Sequence, residues 1–360
     1  MRIGVDGRKI PEATKRGPVD SFNHAHEMGM EGLYFRTVLD MTPTLDAGLL
    51  RAVRERADAL GMYVETGLGK VNPFATPEAP ELRAIGDGDI VLGFRRMMEA
   101  CAAIDCRELW VATANYKMAF TGRLAYDRFR TDVTWAEQLQ ATERFLKILA
   151  PIARDLGIHM NLETHEEITS FELVRLVESV GADVTGITFD TANVLQRAEH
   201  PTWAARRLAP YVRQTHMKDA LVAPHGDVLD FQMRPLGDGV VDFREILPIL
   251  AEANPTLNLS IENAESHDDR PKPTYRMAIE IHDPQWLAGH PDLTKEELAA
   301  YLELVQAYTK RIAAGEIPDR DSYAAQPFGY AETVAFIKKG AAHLRGICEE
   351  FDLPLQKLAA

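Results

Sequence analysis

The chain has 360 residues, 46% of them apolar and 26% charged, a balance that describes a globular protein and excludes a disordered or fibrous one. Forty basic against 54 acidic side chains give a net charge of −14, which argues against nucleic acid as a partner, because such binding draws on a concentrated Lys/Arg surface. No run of about 18 uninterrupted apolar residues occurs, and Met1-Arg2-Ile3-Gly4-Val5-Asp6 enters a strand-like segment without the apolar region of a signal peptide, so a cytoplasmic location and no membrane partner are expected.

Short apolar runs alternate with longer stretches of helical period, the order that builds parallel strands joined by crossover helices. Candidate strands fall at 2–6, 32–35, 62–66, 108–111, 159–162, 184–189, 212–215 and 258–261. Eight strands with a helix after each is the count of a closed (β/α)8 TIM barrel, for which about 250 residues suffice. The surplus falls in four long connections after strand C-termini, 69–91, 112–133, 219–242 and 263–293, and in helical sequence from Thr294 onward. Because the C-terminal face of a barrel is where loops build active sites, a covered mouth is expected. The expected organisation is a barrel domain at 1–293 and a helical extension at 294–360, its last helix at 330–351. Cys101, Cys106 and Cys348 have no CxxC spacing and read as reduced and structural. The Gly237-Asp238-Gly239 segment reads as a tight turn before a helix at Phe243 rather than a phosphate cradle.

Glu163, Asp190, His216 and Glu262 each stand just past one of the last strands. On a barrel their side chains would converge at the mouth, and carboxylates directly after apolar runs are costly to bury without a cation. Three carboxylates and one imidazole suit an octahedral divalent ion, Mn²⁺ in preference, with Mg²⁺ or Co²⁺ as alternatives. His165 lies two residues after Glu163, and strand parity would turn it to the same cavity as a base; a loop histidine bonded to backbone is the alternative. Lys218 is a candidate sugar contact, acid or partner of a ligand carboxylate. Between 112 and 133, Tyr116, Phe120, Tyr126 and Phe129 interleave with Lys117, Arg123, Arg128 and Arg130. Such a loop could stack on and charge-stabilise a phenolic group through Tyr116 and Arg123, or simply pack onto the barrel.

The segments NLETHEE from Asn161, ITFDTANV from Ile187, QTHMKDA from Gln214, PLGDGVVDF from Pro235 and LSIENAE from Leu259 resemble the xylose-isomerase-like barrels of sugar isomerases, epimerases and related lyases. The resemblance covers residues 1–265. It implies metal ligands at Glu163, Asp190, His216 and Glu262. Ketose 3-epimerases of that family carry a His three residues after the metal-binding Asp, where this chain has Asn193, a candidate substrate contact. The ETH segment, the long mouth loops and the C-terminal helices look most like the α subunits of bacterial C-glycoside deglycosidases. That resemblance implies an oligomeric Mn²⁺-dependent lyase that acts with a small β subunit on 3-oxo-C-glucosides. His165 would remove the proton beside the ketone, and the C–C bond to the aglycone would then break. The alternative is a ketose or keto-sugar epimerase/isomerase, with Glu163 and Glu262 both ligands and proton carriers. A barrel that binds a sugar without turnover is a third expectation.

Overall fold

The computed structural model describes residues 1–114, 116–117, 119–262 and 277–356. The strands among them are β1 Arg2–Asp6, β2 Gly32–Tyr34, β3 Tyr63–Lys70, β4 Glu108–Ala112, β5 His159–Glu163, β6 Thr185–Asp190, β7 Val212–Met217, β8 Asp219–His225, β9 Val228–Arg234, β10 Asn258–Ile261 and β11 Met277–Ile279. All eight strands expected from sequence are present and form a closed parallel barrel in the order β1-β10-β7-β6-β5-β4-β3-β2. The ring closes where Arg2 to Val5 run beside Asn258 to Ile261.

Strand parity organises the interior. Met160 and Leu162, Ile187 and Phe189, and Leu259 and Ile261 are fully buried in the hydrophobic core, while the alternate residues form a polar layer inside the ring. There Gln214 Oε1 accepts from Asn161 (3.3 Å) and Thr188 (3.0 Å), and Glu65 accepts from Asn258 (2.8 Å) and Ser260 (3.0 Å). Burial pushes Glu65 up to about 7 even so. One step further along the same inward rows stand Glu163, Asp190, His216 and Glu262. Gly67 permits this tight ring, since a Cβ there would collide with the carbonyl oxygens of Arg36 and Trp110.

Helices Pro18–Glu27, Ala47–Ala59, Ile90–Ala103, Trp135–Leu156, Ser170–Val180, Pro201–Leu208 and Phe243–Ala253 follow the first seven barrel strands. Two of them begin in capping boxes, Thr134 with Glu137 and Thr169 with Glu172. The helix Tyr330–Glu350 corrects the expected division of the chain. It packs on β1, β10 and Phe243–Ala253, and Arg345 donates to the Gly29 carbonyl at 2.7 Å. It therefore occupies the eighth helical position of the barrel, not an appended one. Helices Pro284–Ala288, Lys295–Ala313 and Arg320–Ala324 belong to an insertion between β10 and that last helix, so a boundary at 293/294 cuts through the insertion. Part of the expected loop 263–293, residues 263–276, lies outside the described residues.

The 219–242 connection, read from sequence as a loop, is a β-hairpin. β8 and β9 pair antiparallel around Gly226-Asp227, with Gly226 at φ 59°, and β11 adds a third strand. Alternation explains it: Leu229 and Phe231 are buried with the core, while Asp230 meets Arg320 at 2.7 Å and Arg234 lies 4.0 Å over the Tyr323 ring. The return to the barrel is held by Asp219, whose carboxylate accepts the backbone N–H groups of Ala220, Gly237, Gly239 and Val241 at 2.9–3.0 Å. Gly237-Asp238-Gly239 is thus a turn whose amides are already taken. All three cysteines are buried and free.

Asp219→Ala strands these buried donors and is expected to lower the unfolding free energy by about 3 kcal/mol, with Asp219→Asn costing less because one acceptor oxygen remains. Denaturant unfolding of the two variants checks this; equal losses would show that the carboxylate is not what anchors the turn.

Candidate metal centre and active site

Glu163 ends β5, Asp190 ends β6, His216 lies in β7 and Glu262 follows β10, four strands adjacent in the ring. One ligand atom from each lies within 4.8 Å of the others. His216 Nδ1 is 2.7 Å from Glu163 Oε1 and 3.6 Å from Glu262 Oε2. Glu163 Oε2 accepts from the indole of Trp110 at 2.8 Å. Lys218 Nζ bridges Asp190 Oδ2 (2.5 Å) and Glu262 Oε2 (2.9 Å), and Lys9 pairs with the other oxygen of Glu262. Asp190 Oδ1 is fixed by the N–H groups of Ala192 and Asn193, both at 3.0 Å.

The electrostatics are those of crowded buried anions. Burial alone would raise all three carboxylates. His216 and His165 outweigh it at Glu163, held near 2, and Lys218 and Lys9 outweigh it at Glu262, held well below the ordinary range. Asp190 goes the other way, to about 7, because burial and the charges of Glu262 and Glu163 exceed the pull of Lys218. An oxygen-rich donor set of this kind fits a divalent cation. The buried Nε2 of His216 has no hydrogen-bond partner, a further polar atom left for a ligand. This cluster could hold a divalent metal ion.

Above it lies a cavity of about 220 Å³, smaller than the pockets that take drug-sized ligands. Glu163, His216, Glu262, His165, Asn193, Lys218 and Tyr116 all line it. His165 Nδ1 sits 2.7 Å from both Glu166 Oε2 and Glu167 Oε2, while its Nε2 is 3.9 Å from Glu163 Oε2. Glu167 in turn accepts from Thr113. Burial would lower the imidazole, but Glu166, Glu167 and Glu163 raise it well above its ordinary value. These carboxylates thus favour the charged form of the imidazole, and a cation on the neighbouring cluster would oppose them. Asn193 Oδ1 accepts from Lys218 at 3.2 Å, and Tyr116 stacks edge-on against Tyr126, ring centroids 5.3 Å apart.

Arg123 is not brought to the cavity. Its guanidinium binds Glu280 and Asp283, both at 3.1 Å, and lies against Gln285. The other cations of that loop are also taken: Lys117 by Asp127, Arg128 by Glu172 at 2.8 Å, and Arg130 by Asp132 at 2.7 Å. A phenolate-stabilising basic loop is thus corrected to a neutralised one. Sequence reading missed Trp110, Lys9 and Tyr34 along with the apolar lining of Phe231, Met233 and Met277, and Glu167 behind His165. Only the Asp6-Gly7-Arg8-Lys9 turn after β1 carried a local signal, as polar residues at a strand C-terminus. The Tyr34 ring lies 4.4 Å from that of His216.

Residues 22–288 match the xylose isomerase-like TIM barrel family. The chain is 29% identical over 135 residues to the uncharacterised protein YihM of Escherichia coli (strain K12), which is 37% of this chain and 41% of that protein. It is 23% identical over 120 residues to an inosose dehydratase of Bacillus thuringiensis (strain Al Hakam), 29% of this chain and 40% of the relative. The matches thus span about two fifths of the length of these relatives. Among solved structures, the 3-keto-D-glucoside 4-epimerase YcjR of E. coli superposes with a TM-score of 0.54 at 16% identity, covering 86% of this chain and 99% of that one; at that identity the likeness is one of fold.

A divalent ion at a hundred times its Kd should stabilise the chain by about 2.7 kcal/mol, an effect that Glu262→Gln removes. Trp110→Phe, which deletes only the hydrogen bond to Glu163, should weaken the ion by about tenfold. Calorimetric titration with Mn²⁺ and thermal melts read both; unchanged affinity in Glu262→Gln would place the ion elsewhere.

Proposed function

The chain belongs to the xylose isomerase-like TIM-barrel family, and we propose that it moves a proton at the carbon beside the ketone of a ketose or keto-sugar, as a divalent-metal-dependent epimerase or isomerase. The observation that carries this reading is the gathering of Glu163, Asp190, His216 and Glu262 within 4.8 Å at the floor of a sugar-sized cavity. Manganese is the preferred ion, given a donor set of three carboxylates and one imidazole, with Mg²⁺ and Co²⁺ as alternatives. When bound, the ion supplies Lewis-acid polarisation of the ketone, which acidifies the adjacent C–H.

The chain's own residues do the rest. Glu163 and Glu262 rise from β5 and β10, with β6 and β7 between them, so their carboxylates meet a substrate from two directions. One takes the proton and the other returns it. Lys9 and Lys218 keep Glu262 ionised and therefore able to accept. Asn193 and Lys218 would hold substrate hydroxyls, and Tyr116 would close over the ring. The family relatives named as an inosose dehydratase and a 3-keto-D-glucoside 4-epimerase support a carbonyl-bearing cyclic polyol as the substrate type.

His165 favours a second outcome of the same proton abstraction. Its imidazole is oriented by Glu167 and faces the cavity, and the carboxylates of Glu166, Glu167 and Glu163 raise its affinity for a proton, which suits protonation of a group leaving the β-carbon. The finer form of this reading is C–C cleavage of a 3-oxo-C-glucoside. The α-proton goes to a carboxylate, the electron pair of the C–C bond leaves with the aglycone carbon, and His165 supplies the proton to that carbon, in an assembly with a small β subunit.

Incubation of the Mn²⁺-loaded chain in D₂O with free ketoses and 3-keto-glucosides, followed by NMR, should show deuterium entering beside the ketone and a new epimer forming. Exchange that persists in His165→Ala assigns the reaction to the two glutamates, whereas aglycone release from a 3-oxo-C-glucoside that is lost in His165→Ala assigns it to elimination. Absence of both reactions across these substrates would sink the proposal.

A further inference from the structure

The cations around the cavity are nearly all spent on carboxylates. Lys9 pairs with Glu262, Lys218 with Asp190 and Glu262, and Arg8 with Asp6 (3.1 Å) and Asp40 (3.7 Å). Arg36 differs. It lines the cavity, is half-buried, and among the described residues makes no ion pair or side-chain hydrogen bond. A guanidinium has five N–H donors and no acceptor, cannot shed its charge, and is shaped to take two oxygens of a carboxylate or phosphate at once. A fixed cation left without a counter-charge at a ligand wall is a site awaiting one.

Its position around the ring sets the geometry. Arg36 follows β2, and β2 lies four places from β6, so it stands across the eight-stranded ring from Asp190. An anionic group is repelled by Glu163 and Asp190, on strands three and four places away around the ring, and drawn toward Arg36. A ligand that offers its ketone to the metal cluster thereby turns any charged end to Arg36.

We infer that the substrate of this cavity is an anionic keto-sugar, bearing an oxoanion remote from the reacting carbonyl, and that Arg36 is the residue that recognises it. The inference rests on the keto-sugar reading above for the orientation of the ligand, but not for the existence of the anion site. A carboxylate on the terminal carbon and a phosphate ester there share the required chemistry.

Two measurements keep the two readings separable. The first is binding by isothermal titration calorimetry to the full chain, wild type, Arg36→Ala and Arg36→Lys, using D-fructose, D-fructose 6-phosphate and D-fructuronate, which share one ketose skeleton. The expected result is that one anionic ketose binds about tenfold or more tighter than D-fructose, that Arg36→Ala removes the preference, and that Arg36→Lys restores part of it. Whichever anion shows the preference identifies the source of the charge. Mn²⁺ affinity measured on the same variants confirms an intact cluster. The second measurement is deuterium exchange into the same three ketoses, where the ratio of kcat/KM, anionic to neutral, should fall about tenfold in Arg36→Ala. Equal affinity for all three sugars, or a preference that survives in Arg36→Ala, overturns the inference. Charge-selective binding lost in Arg36→Ala without exchange in any ketose upholds the anion site and sinks the proton-transfer reading instead.

Discussion

Three carboxylates share one small buried space at the barrel rim, and the arrangement around them answers that crowding. Buried anions must be paired or neutralised. Here Lys218 from the end of β7 and Lys9 from the turn after β1 bracket Glu262, Trp110 and His216 bind Glu163, and two backbone N–H groups hold Asp190. Asp190 also meets Lys218 at 2.5 Å, yet complete burial and the facing charges of Glu262 and Glu163 push its carboxyl up to about 7, while Glu163 falls to about 2. The order of compensation locates where added positive charge is worth most, in the space bounded by all four residues. The polar layer beneath, built from Asn161, Thr188, Gln214, Asn258 and Ser260, fixes the strands from which these side chains rise.

The cover over the mouth follows a different logic. The 113–134 connection and the 280–292 segment are tied by Arg123 to Glu280 and Asp283, and by Arg128, whose guanidinium reaches both Glu172 and the Gly289 carbonyl. These charges are consumed in closing one loop on another, so the loop's positive balance is absent from the cavity. The apolar part of the cavity lining is instead supplied by Phe231, Met233 and Met277 from the antiparallel sheet. A net charge of −14 describes the surface and says little about a mouth where, among the described residues, Arg8, Lys9 and Lys218 are matched to acids and Arg36 is not.

The barrel was legible because its signal is local. An apolar run with period-2 alternation marks each strand, and a polar residue that continues the inward row past the apolar run marks the mouth. The hairpin at Asp219–Arg234 carries the same alternation, Leu229-Asp230-Phe231-Gln232-Met233-Arg234 around a Gly-Asp turn, yet its length and place after a strand made it read as a loop. The last helix was legible as a helix but not as the barrel's eighth, since only its packing on β1 and β10 decides that. Arg123 failed for a related reason: its partners lie about 160 residues away, in sequence that offers no hint of the pairing.

His165 lines the same cavity as Glu163, but strand parity is not what puts it there. Parity with Glu163 holds only while the strand lasts, and β5 ends at Glu163. What carries the chain onward is Thr164, whose N–H binds the Thr188 carbonyl at 3.1 Å and whose hydroxyl donates to the Asp190 carbonyl at 2.9 Å, extending the register with β6 by one residue. The imidazole is then fixed from downstream, by Glu167 held on Thr113 of the neighbouring loop. Its direction therefore depends on a buried carboxylate two residues later, which is itself held by Thr113, 54 residues before that carboxylate. Glu166 and Glu167, both 2.7 Å from Nδ1, aim the ring and also raise its affinity for a proton, so orientation and basicity at this position have a common source.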